Sequence, residues 1–162
     1  MTTATEVKGF NRERFEAFLD ARSDEPTWLT EMRRAAWNAF ESMAWPARNE
    51  EEWVRTDIRL FHLDKFSLPV SGSATPALAP GLLTHDVELG GKLVCYNSSL
   101  ATESLKEDLA KQGVLFGSLD RLVNEHGDLL RPYFERQVVD TRKDKFAALH
   151  AACWSGGTLL YV

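Results

Sequence analysis

An uncharged stretch at residues 67–81 divides the chain into two parts with different hydrophobic periods. It is rich in Ser, Pro, Gly and Ala, which is the composition of a flexible linker. Before it, apolar residues recur every three or four positions, as in an amphipathic helix, whereas after it they first alternate. We therefore expect a helical N-terminal region over 1–66, a linker over 67–81 and a new unit from residue 82.

Two helices are predicted in the N-terminal region. Asn11 can cap the first helix, and the early Pro26 suits the first turn of the second. The apolar residues that share one face of the first helix are Phe15, Phe18 and Leu19. Those that repeat along the second are Leu29, Met32, Ala36, Phe40 and Met43. We expect a helical hairpin with Trp28 and Trp37 packed inside, since an exposed tryptophan would instead indicate a docking surface for a partner.

Residues 82–142 predict a small α+β unit that begins with a β-hairpin. Two alternating runs, 83–89 and 92–97, flank the pair Gly90 and Gly91. Strand-like alternation around a Gly-Gly pair is typical of a tight hairpin turn. We therefore expect the chain to reverse direction at these two glycines.

Short helices and one short strand are predicted to follow the hairpin. Thr102 can cap a helix that Gly113 closes, and 114–116 reads as an apolar strand. Ser118 can cap the next helix, and Asp128 begins another.

The last segment, 143–162, predicts a helix, a glycine turn and a strand. That strand ends on Val162 without an evident partner, and an unpaired strand edge favours association with another chain. We therefore expect the chain to be the front portion of something longer. We also expect a tendency of this piece to form a homodimer, either by pairing of the strand edges or by exchange of the helix and strand between protomers.

Charge and composition exclude several classes of function. The formal net charge is −5, whereas a nucleic-acid groove needs clustered Lys and Arg. The sequence has no apolar run that could span a membrane and no signal-peptide core. Its two cysteines, Cys95 and Cys153, do not make a disulfide framework. A cytoplasmic protein that binds neither nucleic acid nor membrane is expected.

The residues that could carry chemistry are few. His150 and Cys153 share a face of a predicted helix, and His85 and Cys95 lie on the two predicted hairpin strands. A structural zinc site needs four converging ligands, so a buried cysteine and a core histidine explain the helical pair better. Nucleophile-elbow and phosphate-loop motifs are absent from the sequence. We therefore assign no catalytic residue and no metal ligand, and the cofactor-binding residues stay open. A small cytosolic metal-binding or thiol-dependent protein that uses these four residues is the alternative.

Three stretches together carry a family resemblance. In the first, 25–57, Pro26 and Trp28 open a helix, and Pro46 and Arg48 follow it with an acidic pair. The stretch closes with the motif Trp53-x-x-Thr56-Asp57. The second, 113–119, is a Gly-Val strand that leads into a capped helix. The third, 144–162, is a helix that ends at two glycines before an apolar strand.

The order and spacing of these stretches resemble the N-terminal part of the SufB/SufD family, the scaffold subunits of the SUF iron–sulfur cluster assembly system. The motif at 53–57 is closest to the SufD branch. The resemblance implies a non-catalytic scaffold whose 143–162 segment leads into a β-helix core. It also implies SufB-like and SufC-like partners, engaged through the full-length protein. The iron–sulfur cluster would be handled by the full complex, so no cofactor is expected in this chain.

Overall fold

A computed structural model describes residues 9–68 and 87–162. The α-helices are α1 (Arg12–Asp20), α2 (Thr27–Ser42), α3 (Glu107–Lys111), α4 (Leu119–Glu125), α5 (Gly127–Glu135) and α6 (Lys145–Cys153), and two short 3-10 helices lie at Ile58–Leu60 and Leu63–Lys65. The strands are β1 (Gly91–Tyr96), β2 (Ser99–Leu105), β3 (Leu115–Ser118) and β4 (Thr158–Tyr161). This mixture of helices and strands is compatible with an α+β fold.

The described residues form two compact units. The first contains residues 9–68 together with Arg131–Trp154, and the second contains 87–130 together with Ser155–Val162. Most of the predicted linker, from residue 69 onwards, lies outside the described residues.

The two predicted N-terminal helices are confirmed in the first unit. The side chain of Asn11 accepts a hydrogen bond from the backbone N–H of Arg14 at 3.0 Å, which caps α1 as expected. α2 begins directly after Pro26 and ends four residues before Pro46.

The core of the first unit is aromatic. Phe15 and Trp37 are fully buried and stack with their ring centroids 4.4 Å apart. Around them pack Phe18, Leu19, Ala36, Phe40, Leu68, Ala148, Leu149 and Ala152. α6 therefore completes a core that the helical period of α1 and α2 predicts only in part.

In the second unit the hairpin turns at a different place from the one predicted. β1 and β2 pair antiparallel, with Tyr96 opposite Ser99, so the turn is made by Asn97 and Ser98. Both have positive φ angles, 48° and 63°, as a two-residue type I′ turn requires. The prediction of a turn at Gly90 and Gly91 is wrong, because β1 already begins at Gly91. Asn adopts the left-handed region more readily than most residues, and the type I′ turn that it forms here matches the twist of the flanking strands.

The helix predicted after the hairpin begins later than expected. Thr102 does not cap a helix, because it lies within β2 and pairs with Val94. α3 starts at Glu107 instead. Ser118 does precede α4, but its side chain makes no capping hydrogen bond, and its backbone N–H donates to the Glu103 carboxylate at 2.8 Å.

The last strand is present where the sequence predicts it, but it does have a partner. β4 pairs antiparallel with β3, with Phe116 opposite Leu160. The expectation of an unpartnered strand is therefore wrong for one of its two edges. Leu160 remains 63% exposed and Val162 92% exposed.

Candidate functional site

The structure places the helical pair His150 and Cys153 in different environments. The prediction of a core histidine is wrong, because His150 is exposed, whereas Cys153 is partly buried and packs against the core of the first unit. Burial raises the pKa of the Cys153 thiol to about 12, although the charges of Arg33 and Arg22 oppose the shift. The thiol therefore stays protonated at neutral pH, and a protonated thiol is a poor nucleophile and a poor metal ligand.

Only Cys95 of the second predicted pair, His85 and Cys95, lies among the described residues. Cys95 is exposed on β1 in the second unit, and His85 lies outside the described residues. Within 9–68 and 87–162, no three His, Cys, Asp or Glu side chains come together in a way that could hold a metal ion.

The two tryptophans of α2 are not exposed anchors. Trp37 is fully buried and donates from Nε1 to the Glu41 carboxylate at 2.8 Å. Trp28 is partly buried against Phe134, with ring centroids 5.5 Å apart. Its Nε1 is buried without a hydrogen-bond partner among the described residues. A docking role for these two side chains is therefore not supported.

A buried arginine joins α2 to the end of α6. The side chain of Arg33 is fully buried and donates to both carboxylate oxygens of Glu25, at 2.8 and 2.9 Å. Its remaining nitrogen, Nη1, donates to the carbonyls of Ala152 and Trp154 at 3.1 and 2.9 Å. The guanidinium also lies 4.2 Å from the centroid of the Trp154 ring. One side chain thus satisfies a buried carboxylate and two carbonyls at the C-terminus of α6.

A buried lysine makes the reciprocal connection from α6 to the end of α2. Lys145 is 8% exposed, and its Nζ donates to the carbonyls of Phe40 and Met43 at 2.6 and 2.7 Å. The ammonium lies 4.4 Å from the Phe40 ring centroid. Desolvation lowers the pKa of Lys145, and the charge of Glu41 partly opposes this.

Between these two connections lies a groove of about 510 Å³, entirely within the first unit. α2, α6 and the segment between α5 and α6 form its walls. The small side chains that line it are Ala35, Ala36, Ala39, Ala147 and Ala151. Phe134 and Trp154 also line it, and they stack with centroids 5.7 Å apart. Its polar lining includes Asp140, Arg142 and His150. An apolar groove of this volume is within the range of ligand and side-chain binding sites.

The sequence predicts neither the groove nor the two buried cations. A signal for Arg33 does exist, because it lies four residues after Leu29 and four before Trp37, on the buried face of α2. Lys145 carries a similar signal, because it lies three residues before Ala148 and four before Leu149, on the buried face of α6. The groove depends on how α6 packs on α2, which no local pattern specifies.

Comparison with known proteins identifies the family. Residues 11–162 match the family model described as "SufBD protein N-terminal region". The chain belongs to the SufB/SufD family.

No helix described in the structure reaches the length and apolar character that a membrane crossing requires.

Several relatives are named as iron–sulfur cluster assembly proteins. The chain is 25% identical to SufB of Bacillus subtilis over 159 residues, covering 89% of the chain and 33% of the relative. It is 28% identical to SufD of the same organism over 165 residues, covering 100% of the chain and 37% of the relative. A SufBD family protein of Mycobacterium tuberculosis is 27% identical over 160 residues, covering 89% of the chain and 18% of the relative. The chain therefore spans between 18% and 37% of the length of these relatives.

Proposed function

We propose that this chain is the N-terminal part of a SufD-like scaffold protein that takes part in iron–sulfur cluster assembly in the cytoplasm. The observation that carries this proposal is the match of residues 11–162 to the N-terminal region of the SufB/SufD family. The relatives are named as iron–sulfur cluster assembly proteins, which supports a part for this chain in the same process. The motif Trp53-x-x-Thr56-Asp57 favours the SufD branch over the SufB branch.

The role we propose for these residues is protein–protein binding, without catalysis. The high pKa of Cys153 and its contacts with the core support a structural role for this cysteine. The exposed Cys95 lies on a hairpin strand in the second unit. The cluster would then be cargo of the assembled complex, and SufB-like and SufC-like subunits would be its partners.

Co-expression with tagged SufB-like and SufC-like subunits of the same organism tests the scaffold role. We expect the longer protein that contains this segment to co-purify with both subunits in a fixed ratio. A SufB-like partner should be preferred over a second SufD-like chain. Failure to co-purify with either subunit would overturn the proposal.

Anaerobic reconstitution of the 162-residue chain with iron and sulfide tests the alternative, a metal-binding or thiol-dependent protein. The scaffold role predicts that the desalted chain stays colourless in the visible range. A stoichiometric chromophore that Cys95→Ser or Cys153→Ser abolishes would instead establish cluster or metal binding by this segment, and would contradict a purely structural role.

A further inference from the structure

The segment between α5 and α6 presents apolar side chains to solvent beside the groove. Val138 is 92% exposed and Val139 is 63% exposed, although both are aliphatic. Val139 lines the groove, whereas Val138 lies outside it. The apolar surface therefore extends beyond the cavity. A small molecule held in the cavity would leave Val138 in water, whereas an extended partner segment would cover both valines.

The same segment is basic in a chain whose formal net charge is −5. Residues 136–143 contain three basic side chains, Arg136, Arg142 and Lys143, and a single acidic one, Asp140. Arg142 and Lys143 are exposed and form no ion pair within the part of the chain that the structure describes. The positive charge at this edge of the groove is therefore available to a partner.

The neighbouring carboxylates are already engaged locally. Asp140 accepts from the backbone N–H of Arg142 at 2.8 Å, and Asp144 accepts from the N–H of Ala147 at 2.8 Å. Glu135 pairs with Arg131 at 2.7 Å, one turn earlier on α5. Hydrogen bonds from neutral backbone N–H groups leave the negative charges of Asp140 and Asp144 in place, so residues 136–144 keep a small excess of positive charge, three basic side chains against two acidic ones, beside an apolar groove.

We propose that the groove docks an acidic amphipathic segment of a partner protein. An apolar side chain of that segment enters the alanine-lined cavity between α2 and α6, and a second covers Val138. Its carboxylates face Arg142 and Lys143. Helix-in-groove complexes use this arrangement, in which the apolar face of an amphipathic helix lies in a hydrophobic groove. This inference rests on the proposed binding role and assigns it to one surface and one partner chemistry.

Three fluorescein-labelled peptides of equal length test the chemistry. The first is an amphipathic helix with Leu on one face and Glu on the other. The second replaces every Glu with Lys, and the third replaces every Leu with Ser. We expect the first to bind at least about tenfold more tightly than either of the others, with an affinity that falls as salt is raised. Equal binding of all three, preference for the Lys peptide, or no binding of the Glu peptide up to millimolar concentration would overturn the proposal.

Variants and labelled methyl groups test the location. Ala35→Phe fills the groove from an exposed position on α2, and Ala110→Phe is its control on the exposed face of α3. Arg142→Glu with Lys143→Glu reverses the rim charge, and Lys65→Glu is the exposed control. We expect Ala35→Phe and the Arg142→Glu, Lys143→Glu double variant to lower the affinity for the Glu peptide by about tenfold or more, and the two controls to leave it unchanged. With alanine methyls labelled for NMR, the groove alanines should shift on binding and Ala110 should not. Unchanged affinity in Ala35→Phe, or shifts confined to other alanines, would contradict the location.

The two levels of inference fail in distinguishable ways. If the groove is not a docking site, the peptide experiments fail while the longer protein still co-purifies with SufB-like and SufC-like subunits. If the scaffold role is wrong, co-purification fails whatever the groove binds.

Discussion

Arg33 is the residue whose removal should destabilise the first unit most. Replacement with Met keeps much of the aliphatic volume but removes every donor. The Glu25 carboxylate, whose side chain is 3% exposed, then keeps a longer contact with Arg22 at 3.7 Å. The carbonyls of Ala152 and Trp154 lose the donor that Arg33 supplied.

The magnitude follows from what remains buried. Breaking a buried ion pair by removing one partner costs about 3–5 kcal/mol, because the other charge is left uncompensated. The contact with Arg22, a side chain that is 19% exposed, offsets part of this cost. We therefore expect the free energy of unfolding to fall by about 3 kcal/mol in Arg33→Met, the lower end of that range. The double variant Arg33→Met with Glu25→Gln should recover part of the loss, because no buried charge is left alone.

Thermal and urea unfolding, followed by circular dichroism, measure the effect. For a chain of this size, 3 kcal/mol corresponds to a melting temperature about 6–12 °C lower. Arg34→Met is the matched control, because Arg34 also pairs with a glutamate, Glu16, but the two side chains are 47% and 37% exposed. The control should lose less than about 1 kcal/mol. An Arg33→Met variant within 1 kcal/mol of the parent chain, or a control that loses as much, would refute the reasoning.

Further variants test three separate features by urea unfolding. Lys145→Met removes the two hydrogen bonds to Phe40 and Met43 and should cost about 2 kcal/mol; a neutral effect would contradict a capping role. At Gly156, φ is +73° and an added Cβ would overlap the carbonyl of Ser98, so Gly156→Ala should cost about 2 kcal/mol or more. Gly113→Ala, with φ +90° and open space around it, should cost less. Burial raises the pKa of Cys153 from 9.0 to about 12, so above pH 9 the unfolded chain loses a proton that the folded chain keeps. Stability should therefore fall by about 1 kcal/mol more between pH 8 and 10 in the parent than in Cys153→Ala, and identical pH profiles would refute this.

The sequence predicts elements well where the periodic signal is long. The stripe along α2 repeats over several turns, and Asn11 supplies a side-chain cap, so both N-terminal helices are where the pattern indicates. The hairpin was misplaced because two signals compete over a few residues. Gly90 and Gly91 permit a turn, but Asn97 and Ser98 make it. In a sequence, Asn-Ser is a weaker indicator of a hairpin turn than Gly-Gly. Local chemistry alone does not say which turn the strand pairing will use.

The candidate site was less predictable than the fold, for a different reason. Position 33 carries a charge on a face that is otherwise apolar, and such a residue is normally assigned to the surface or treated as a break in the pattern. It is buried because Glu25, eight residues earlier, and the end of α6, over a hundred residues later, supply its partners. Only the packed structure brings these groups together.

The two buried cations also connect α2 and α6 at two places beside the groove. The last carbonyls of a helix have no partner inside that helix and need donors from elsewhere. Arg33, on α2, donates to carbonyls at the end of α6, and Lys145, on α6, donates to carbonyls at the end of α2. Each helix thus caps the other, which fixes their spacing at two points along the groove. Arg33 does not line the groove. Arg33→Met should nevertheless lower the affinity for the Glu peptide, because one of the two connections between α2 and α6 is lost. Arg34→Met should leave that affinity unchanged.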